Sequence, residues 1–196
     1  MTQPVEITAH DALLVIDVQN DFLPGGALAV PDGDAVIAPL NRCLALFAAK
    51  NQPIFASRDW HPADHCSFTG QGGSWPVHCL AGSGGARFAA ALALPEQAII
   101  ISKAFRPERD SYSAFGETEL DALCRQKGIR RLLVGGLATD YCVKNSVLDA
   151  LRLGYEAVVI REAIRAVELR PGDGMRAAEE MRAAGAVFVS VLDILR

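Results

Sequence analysis

Six short runs rich in Val, Ile and Leu recur along this chain: Leu13 to Val18, Ile54 to Ser57, Ile99 to Ser102, Leu132 to Val134, Ala157 to Ile160 and Val187 to Val191. Their length and composition predict six buried strands. Between most of them lie amphipathic segments of helical length. These cover 36–50, 118–127 ahead of Gly128, 143–153 ahead of Gly154, and 174–184 ahead of Gly185. Glycine just past a helix accepts the left-handed conformation that closes it. Thr118 and Asp121 have the spacing of a capping box, and Met175, Ala178 and Met181 form a stripe expected to face the core. Strands that alternate with helices need right-handed crossovers, so the expected class is α/β with a parallel sheet covered on both faces. A chain of 196 residues suits one domain, 1–196, that buries roughly 70% of its unfolded surface.

One connection departs from this rhythm. Residues Asp59 to Glu96 are rich in Gly, Pro, His, Trp and Cys, with at most a short helix over Arg87 to Leu92. Connections of that length usually carry function. The net charge of −4 is made of interspersed signs, and no basic run exceeds Arg130-Arg131, so no nucleic-acid partner is expected. Apolar stretches such as Ala98 to Ile101 are far too short to span a bilayer. Met1 to Ala9 lacks a basic-then-apolar leader pattern, so no membrane partner and a cytoplasmic location are expected. The five cysteines, at 43, 66, 79, 124 and 142, are odd in number and lack framework spacing, which favours reduced thiols. Cys43 and Cys124 fall on helical segments as small core residues.

In open parallel sheets, ligands bind beyond the carboxyl ends of the strands, where the strand order reverses. Asp17 lies near the end of the first strand, Asp59 just past the second, Lys103 at the end of the third and Cys142 just after the fourth, so all four belong to one rim. The segment Gly136-Leu137-Ala138-Thr139-Asp140-Tyr141-Cys142 leaves a strand and opens a helix, which puts a thiol at an elbow where helix N–H groups and a nearby Lys are expected to lower its pKa. A carboxylate within reach takes the thiol proton and returns it to a leaving group, so Asp17, Lys103 and Cys142 divide into base then acid, electrostatic activator and nucleophile. Backbone N–H groups of the Ala138 to Cys142 turn are placed to hold an oxyanion. Against these readings stand a loop-capping Asp17, a Lys103 that snorkels to solvent and an inert core cysteine.

A second set comprises Asp59-Trp60-His61, with His65 and His78 downstream. Residues two apart on a strand share a side, so Asp59 and His61 can grip one ion, and the long loop can return His78 as a third ligand. Carboxylate and imidazole suit one divalent metal ion, Zn²⁺, Fe²⁺ or Mn²⁺, and three protein ligands leave positions open for substrate. The alternatives are histidines that merely bond loop backbone, or a closed zinc site of Cys66, Cys79, His61 and His78, which lacks any C-x-x-C spacing. Phe22, Trp75 and Tyr112 lie in loops at the same rim and can wall an aromatic pocket. Gly82-Ser83-Gly84-Gly85 fits neither phosphate-loop pattern.

In combination, Asp17-Val18-Gln19-Asn20-Asp21-Phe22, Arg58-Asp59-Trp60-His61-Pro62, Trp75-Pro76-Val77-His78-Cys79, Asp110 to Phe115 and Gly136 to Cys142 resemble the nicotinamidases, or pyrazinamidases, of the isochorismatase-like cysteine hydrolases. The resemblance runs in order from about Asp11 to the C-terminus. It implies a three-layer α/β/α sandwich, Rossmann-like, around a six-stranded parallel sheet, and hydrolysis of a small-molecule amide, nicotinamide, to nicotinate and ammonia. By position it implies Asp17, Lys103 and Cys142 as the catalytic triad, with Asp59, His61 and His78 as metal ligands, zinc first among the metals. The family's metal binds the pyridine nitrogen of the substrate. Phe22, Trp75 and Tyr112 match ring-packing positions. Ala138 and Cys142 match the oxyanion amides, with a cis peptide between Leu137 and Ala138. Relatives differ over whether the residue matching His65 is a ligand, and many have Gly where this chain has Ala104. A metal-free isochorismatase or carbamoyl-amide hydrolase is the alternative enzyme and a thiol or metal sensor the alternative outside enzymes; assembly as a homo-oligomer is left open.

Overall fold

The computed structural model describes residues 4–195; residues 1–3 and 196, the ends of the expected domain, lie outside the described residues. The six expected strands are present as β1 (Asp11–Ile16), β2 (Ile54–Asp59), β3 (Ile99–Lys103), β4 (Arg131–Leu137), β5 (Glu156–Arg165) and β6 (Val187–Val189). All neighbours pair in parallel, in the order β3-β2-β1-β4-β5-β6. The order reverses between β1 and β4, which opens a crevice at their carboxyl ends.

Among the described residues, five α-helices cover the sheet: α1 (Ile37–Ala49), α2 (Leu120–Gln126), α3 (Lys144–Arg152), α4 (Asp173–Ala183) and α5 (Val191–Ile194). Strand periodicity sorts the core into two layers. Leu13 and Val15 of β1 face one side, with Leu40, Leu44 and Phe47 of α1 and Ile194 of α5. Ala12, Leu14 and Ile16 face the other, with Leu120 of α2, Val147 and Ala150 of α3, and Met181 of α4. The fold is a three-layer α/β/α sandwich. No helix among the described residues is long and apolar enough to cross a membrane.

Three local expectations are corrected. Thr118 forms no capping box with Asp121; its hydroxyl donates to the Ala114 carbonyl and Asp121 accepts from Tyr155 and Arg125. Residues 87–92 form bends, turns and a single bridge from Phe88 to Gln19 instead of a helix. Met175 is exposed and Ala177 takes its place inward with Met181, because Ala177 and Met181 are i, i+4 neighbours on one helix face whereas Met175, six residues from Met181, lies about 120° round the helix from it.

Gly136 decides how closely β4 approaches β1. Its φ is +133°, and a β-carbon there would lie 2.6 Å from the Ile16 backbone nitrogen and closer still to the Ile16 carbonyl. Gly136→Ala is therefore expected to cost about 3 kcal/mol or more, since the collision is with backbone and the φ is foreign to alanine. Urea unfolding measures this, and a midpoint equal to the parent's would refute the close approach.

Candidate active site

The β-to-α connections deliver the four expected rim residues to one point. Asp17 follows the last residue of β1 and takes a left-handed φ of +48°, while Asp59 and Lys103 end β2 and β3. Cys142 lies in a π-helical turn, Thr139–Val143, between β4 and α3, and the Leu137–Ala138 peptide is cis, as the family pattern implies. Lys103, fully buried, is the hub. Its Nζ is 3.0 Å from Asp17 Oδ2 and 3.4 Å from Cys142 Sγ, donates to the Ser111 carbonyl at 3.3 Å and forms a close ion pair with Asp59 Oδ1. A buried ammonium is tolerated only when so paired.

Electrostatics distributes the protons. Burial works against the Lys103 charge, but Asp17 and Asp59 outweigh it and hold the ammonium well above its ordinary value. Burial also lifts the Asp59 carboxyl, yet Lys103 and His61 overcome it and keep that group below the carboxylate range. Asp17 is raised, chiefly by burial and further by the Asp59 charge, against the pull of Lys103. The expected lowering of the Cys142 pKa is not found. Burial pushes the thiol well above its ordinary value, with Asp17 and Asp59 adding to the rise and only Lys103 opposing it. The elbow is where expected, but desolvation and two carboxylates outweigh its pull. The thiol form of Cys142 is thus favoured, beside a carboxylate whose own basicity is raised.

Beside this cluster, ligand atoms of Asp59, His61 and His78 lie within 4.8 Å of one another. The long loop returns as foreseen: His61 N–H donates to the Cys79 carbonyl, Ala81 N–H to the His61 carbonyl, and Cys79 N–H to Asp21 Oδ2. His61 Nδ1 donates to the Ala104 carbonyl at 3.0 Å and His78 Nδ1 to the Pro76 carbonyl at 2.8 Å. A carbonyl only accepts, so each Nδ1 carries the hydrogen and each Nε2 is left with a lone pair. His61 Nε2 is buried without a hydrogen-bond partner, 3.6 Å from Asp59 Oδ2. A buried, unbonded imidazole nitrogen facing a carboxylate and a second imidazole fits a divalent cation, and histidines anchored through the other nitrogen are the usual arrangement of metal ligands. Burial lowers His78 and favours its neutral form.

His65 does not join this set. Its Nε2 donates to the Arg109 carbonyl at 3.2 Å and its Nδ1 lies 2.8 Å from Ser67 Oγ, so its ring only packs on His61 at 4.2 Å. Cys66 and Cys79 do not combine with these histidines among the described residues, which removes the closed zinc alternative. All five cysteines are free, and burial pushes Cys43 and Cys124, in the core, up to about 12.

Phe22, Trp75 and Tyr112 do converge. With Val30, Ala138, Tyr141 and Val167 they wall a pocket of roughly 450 Å³, mouth included, that ends on Cys142, Asp59, His61 and His78. Trp75 Nε1 donates to the Tyr112 hydroxyl at 2.9 Å, and the Tyr141 ring packs edge-on to Trp75 at 5.1 Å. Sequence reasoning missed Tyr141, although it lies in the elbow motif, because nothing local shows which way a side chain leaves a π-helical turn. It also missed Gln19, whose buried amide accepts from Asp59 N–H and donates to the Asp59 and Ala86 carbonyls, and Ser57, which bonds Asp17. Gln19 and Tyr141 inside the quoted motifs, and Ser57 as the polar end of an apolar strand run, were the available signals.

A family model described as the isochorismatase domain matches residues 11–193. The chain is similar to the nicotinamidase of Escherichia coli, at 42% identity over 93% of this chain and 95% of that protein. Among solved structures it resembles the pyrazinamidase of Pyrococcus horikoshii in complex with zinc, with a TM-score of 0.89, 44% identity and coverage of 92% of this chain and 99% of that one. It also resembles PnC1 from L. infantum in complex with nicotinate, with a TM-score of 0.87, 33% identity and coverage of 97% and 98%.

Proposed function

The chain belongs to the isochorismatase domain family, and from that membership and the geometry of its site we propose that it is a single-domain, metal-dependent cysteine amidohydrolase that converts nicotinamide to nicotinate and ammonia. Pyrazinamide is a second proposed substrate, and the proposed setting is cytoplasmic salvage of pyridine nucleotides for NAD. The observation that carries this reading is the shared floor of the aromatic pocket, where Cys142 with its Lys103 and Asp17 partners lies beside the Asp59, His61 and His78 cluster.

The residues divide the chemistry as follows. Cys142 Sγ attacks the carboxamide carbon while its proton passes to Asp17, so that the thiol gains its nucleophilic character as the bond forms. The amides of Ala138 and Cys142 receive the developing oxyanion. Asp17 then gives its proton to the departing nitrogen, which leaves as ammonia with the acyl group on sulfur as a thioester. Water attacks the thioester, Asp17 takes a proton from it, and the proton returns to sulfur as the acid leaves. Lys103 stays cationic throughout and stabilises Asp17 and the sulfur between proton transfers. Phe22, Trp75, Tyr112 and Tyr141 pack the ring. Asp59, His61 and His78 would hold a divalent cation, zinc being the proposed metal, and when bound it supplies a Lewis-acidic anchor for the pyridine nitrogen.

Turnover with ammonia release on a panel of nicotinamide, pyrazinamide and benzamide tests this. Benzamide keeps the ring shape and the scissile bond but lacks the ring nitrogen. Its kcat/KM is expected to fall by at least about a hundredfold, because a polar anchor left without its partner discriminates far more than an apolar contact. Equal kcat/KM for benzamide and nicotinamide would favour a metal-free amide hydrolase, and no ammonia from any amide would favour a sensor.

A further inference from the structure

Asp17 must take a proton from sulfur and later release it to nitrogen, yet a carboxylate turns easily about its terminal torsion and its two oxygens readily exchange places. Lys103 does not prevent this by itself, since its ammonium is shared among Asp17, Asp59 and the Ser111 carbonyl. Ser57 holds Asp17 from two directions. Its carbonyl accepts from Asp17 N–H at 3.1 Å, which secures the residue as it leaves β1 with a left-handed φ of +48°. Its hydroxyl donates to Asp17 Oδ1 at 2.7 Å, and both side chains are fully buried. Oδ2 is left without a hydrogen bond of its own, 3.0 Å from the Lys103 ammonium that also reaches Cys142 Sγ.

We propose that Ser57 is a positioning residue: its hydroxyl locks Asp17 by Oδ1 so that Oδ2 alone is the oxygen that exchanges the proton with Cys142 and with the leaving nitrogen. This rests on the amidohydrolase reading above. The Oδ1 bond survives the whole cycle, because Oδ1 remains an acceptor whether or not Oδ2 carries the proton. The S–H bond breaks as the new Oδ2–H bond forms, and the same hydrogen then forms the third N–H bond of ammonia as the C–N bond breaks. No other donor is required of Ser57, and its side chain is not part of the pocket wall.

The test compares Ser57→Ala and Ser57→Thr with the parent, by crystallography and by steady-state kinetics on nicotinamide. A hydrogen bond to a charged group is worth enough that kcat of the Ala variant is expected to fall roughly ten- to a hundredfold. KM should stay within about twofold, because ring contacts are untouched. The Thr variant, which keeps the hydroxyl, should recover kcat to within about fivefold of the parent. In the Ala variant crystal the Asp17 carboxylate should be rotated or split between two orientations. A carboxylate that stays in place in the Ala variant overturns the proposal whatever the kinetics. So does an unchanged kcat, or a loss that Thr fails to restore in a protein melting at the parent's temperature. A parent inactive on nicotinamide would defeat the substrate assignment instead, and the crystallographic comparison would still decide the role of Ser57.

Discussion

Cys142→Ala is expected to lower nicotinamide turnover by at least roughly 10⁴-fold, the scale on which loss of a covalent nucleophile is felt when the rest of the site remains. Nothing else at the floor of the pocket can replace it. Lys103 is held cationic between two carboxylates and so has no lone pair, Asp17 is the proton carrier, and Cys79 is a fully buried thiol pushed strongly upward chiefly by burial. The fold should be spared, since exchanging one buried thiol for hydrogen removes on the order of 1 kcal/mol of packing. The pocket lining and the Asp59, His61 and His78 cluster should also persist, so bound metal per chain is expected to match the parent. Activity by ammonia release, metal by elemental analysis and melting temperature together check this. A Cys142→Ala protein with measurable kcat above a hundredth of the parent's would remove the thiol from the chemistry.

His61→Ala should lose both the metal and the reaction. Changes to groups that only orient a ligand typically cost ten- to a hundredfold in metal affinity, so removal of a ligand should cost at least about a hundredfold. The contrast is His65→Gln, because both nitrogens of His65 are already committed to Ser67 and Arg109. That variant is expected to keep its metal within about tenfold of parental affinity. Because His61 is buried against His65, Phe68 and His78, truncation also opens a cavity, and a melting curve is needed to separate loss of metal from loss of fold. Full turnover by a verified metal-free protein, or stoichiometric metal in the His61→Ala variant, would sink the metal assignment.

Much of this molecule is legible along the chain because the relevant physics is local. Runs of β-branched residues separated by amphipathic segments dictate strands, helices and a covered parallel sheet. In such a sheet every strand end faces the same rim, so Asp17, Asp59, Lys103 and Cys142 could be assigned a common edge from spacing alone. The ligand chemistry of Asp59, His61 and His78 was equally open to reading, since it depends on residue type and a long loop. Met175 failed because it lies about 120° round the helix from Met181, off the buried face, and the Thr118 capping box because competing partners from elsewhere in the fold took both side chains.

Tertiary structure alone decided the rest. That β1 lies beside β4 is a property of sheet order, and it brings Asp17 within reach of Cys142 across more than a hundred residues of chain. The upward shift of the Cys142 thiol followed from desolvation and two nearby carboxylates, whose combined effect outweighs the helix terminus that sequence could see. Which imidazoles can ligate depended on where carbonyls of Pro76, Ala104 and Arg109 happened to lie. Residue type and spacing determine what chemistry a rim can hold; burial and the partner on each polar atom determine which of those groups are free to perform it.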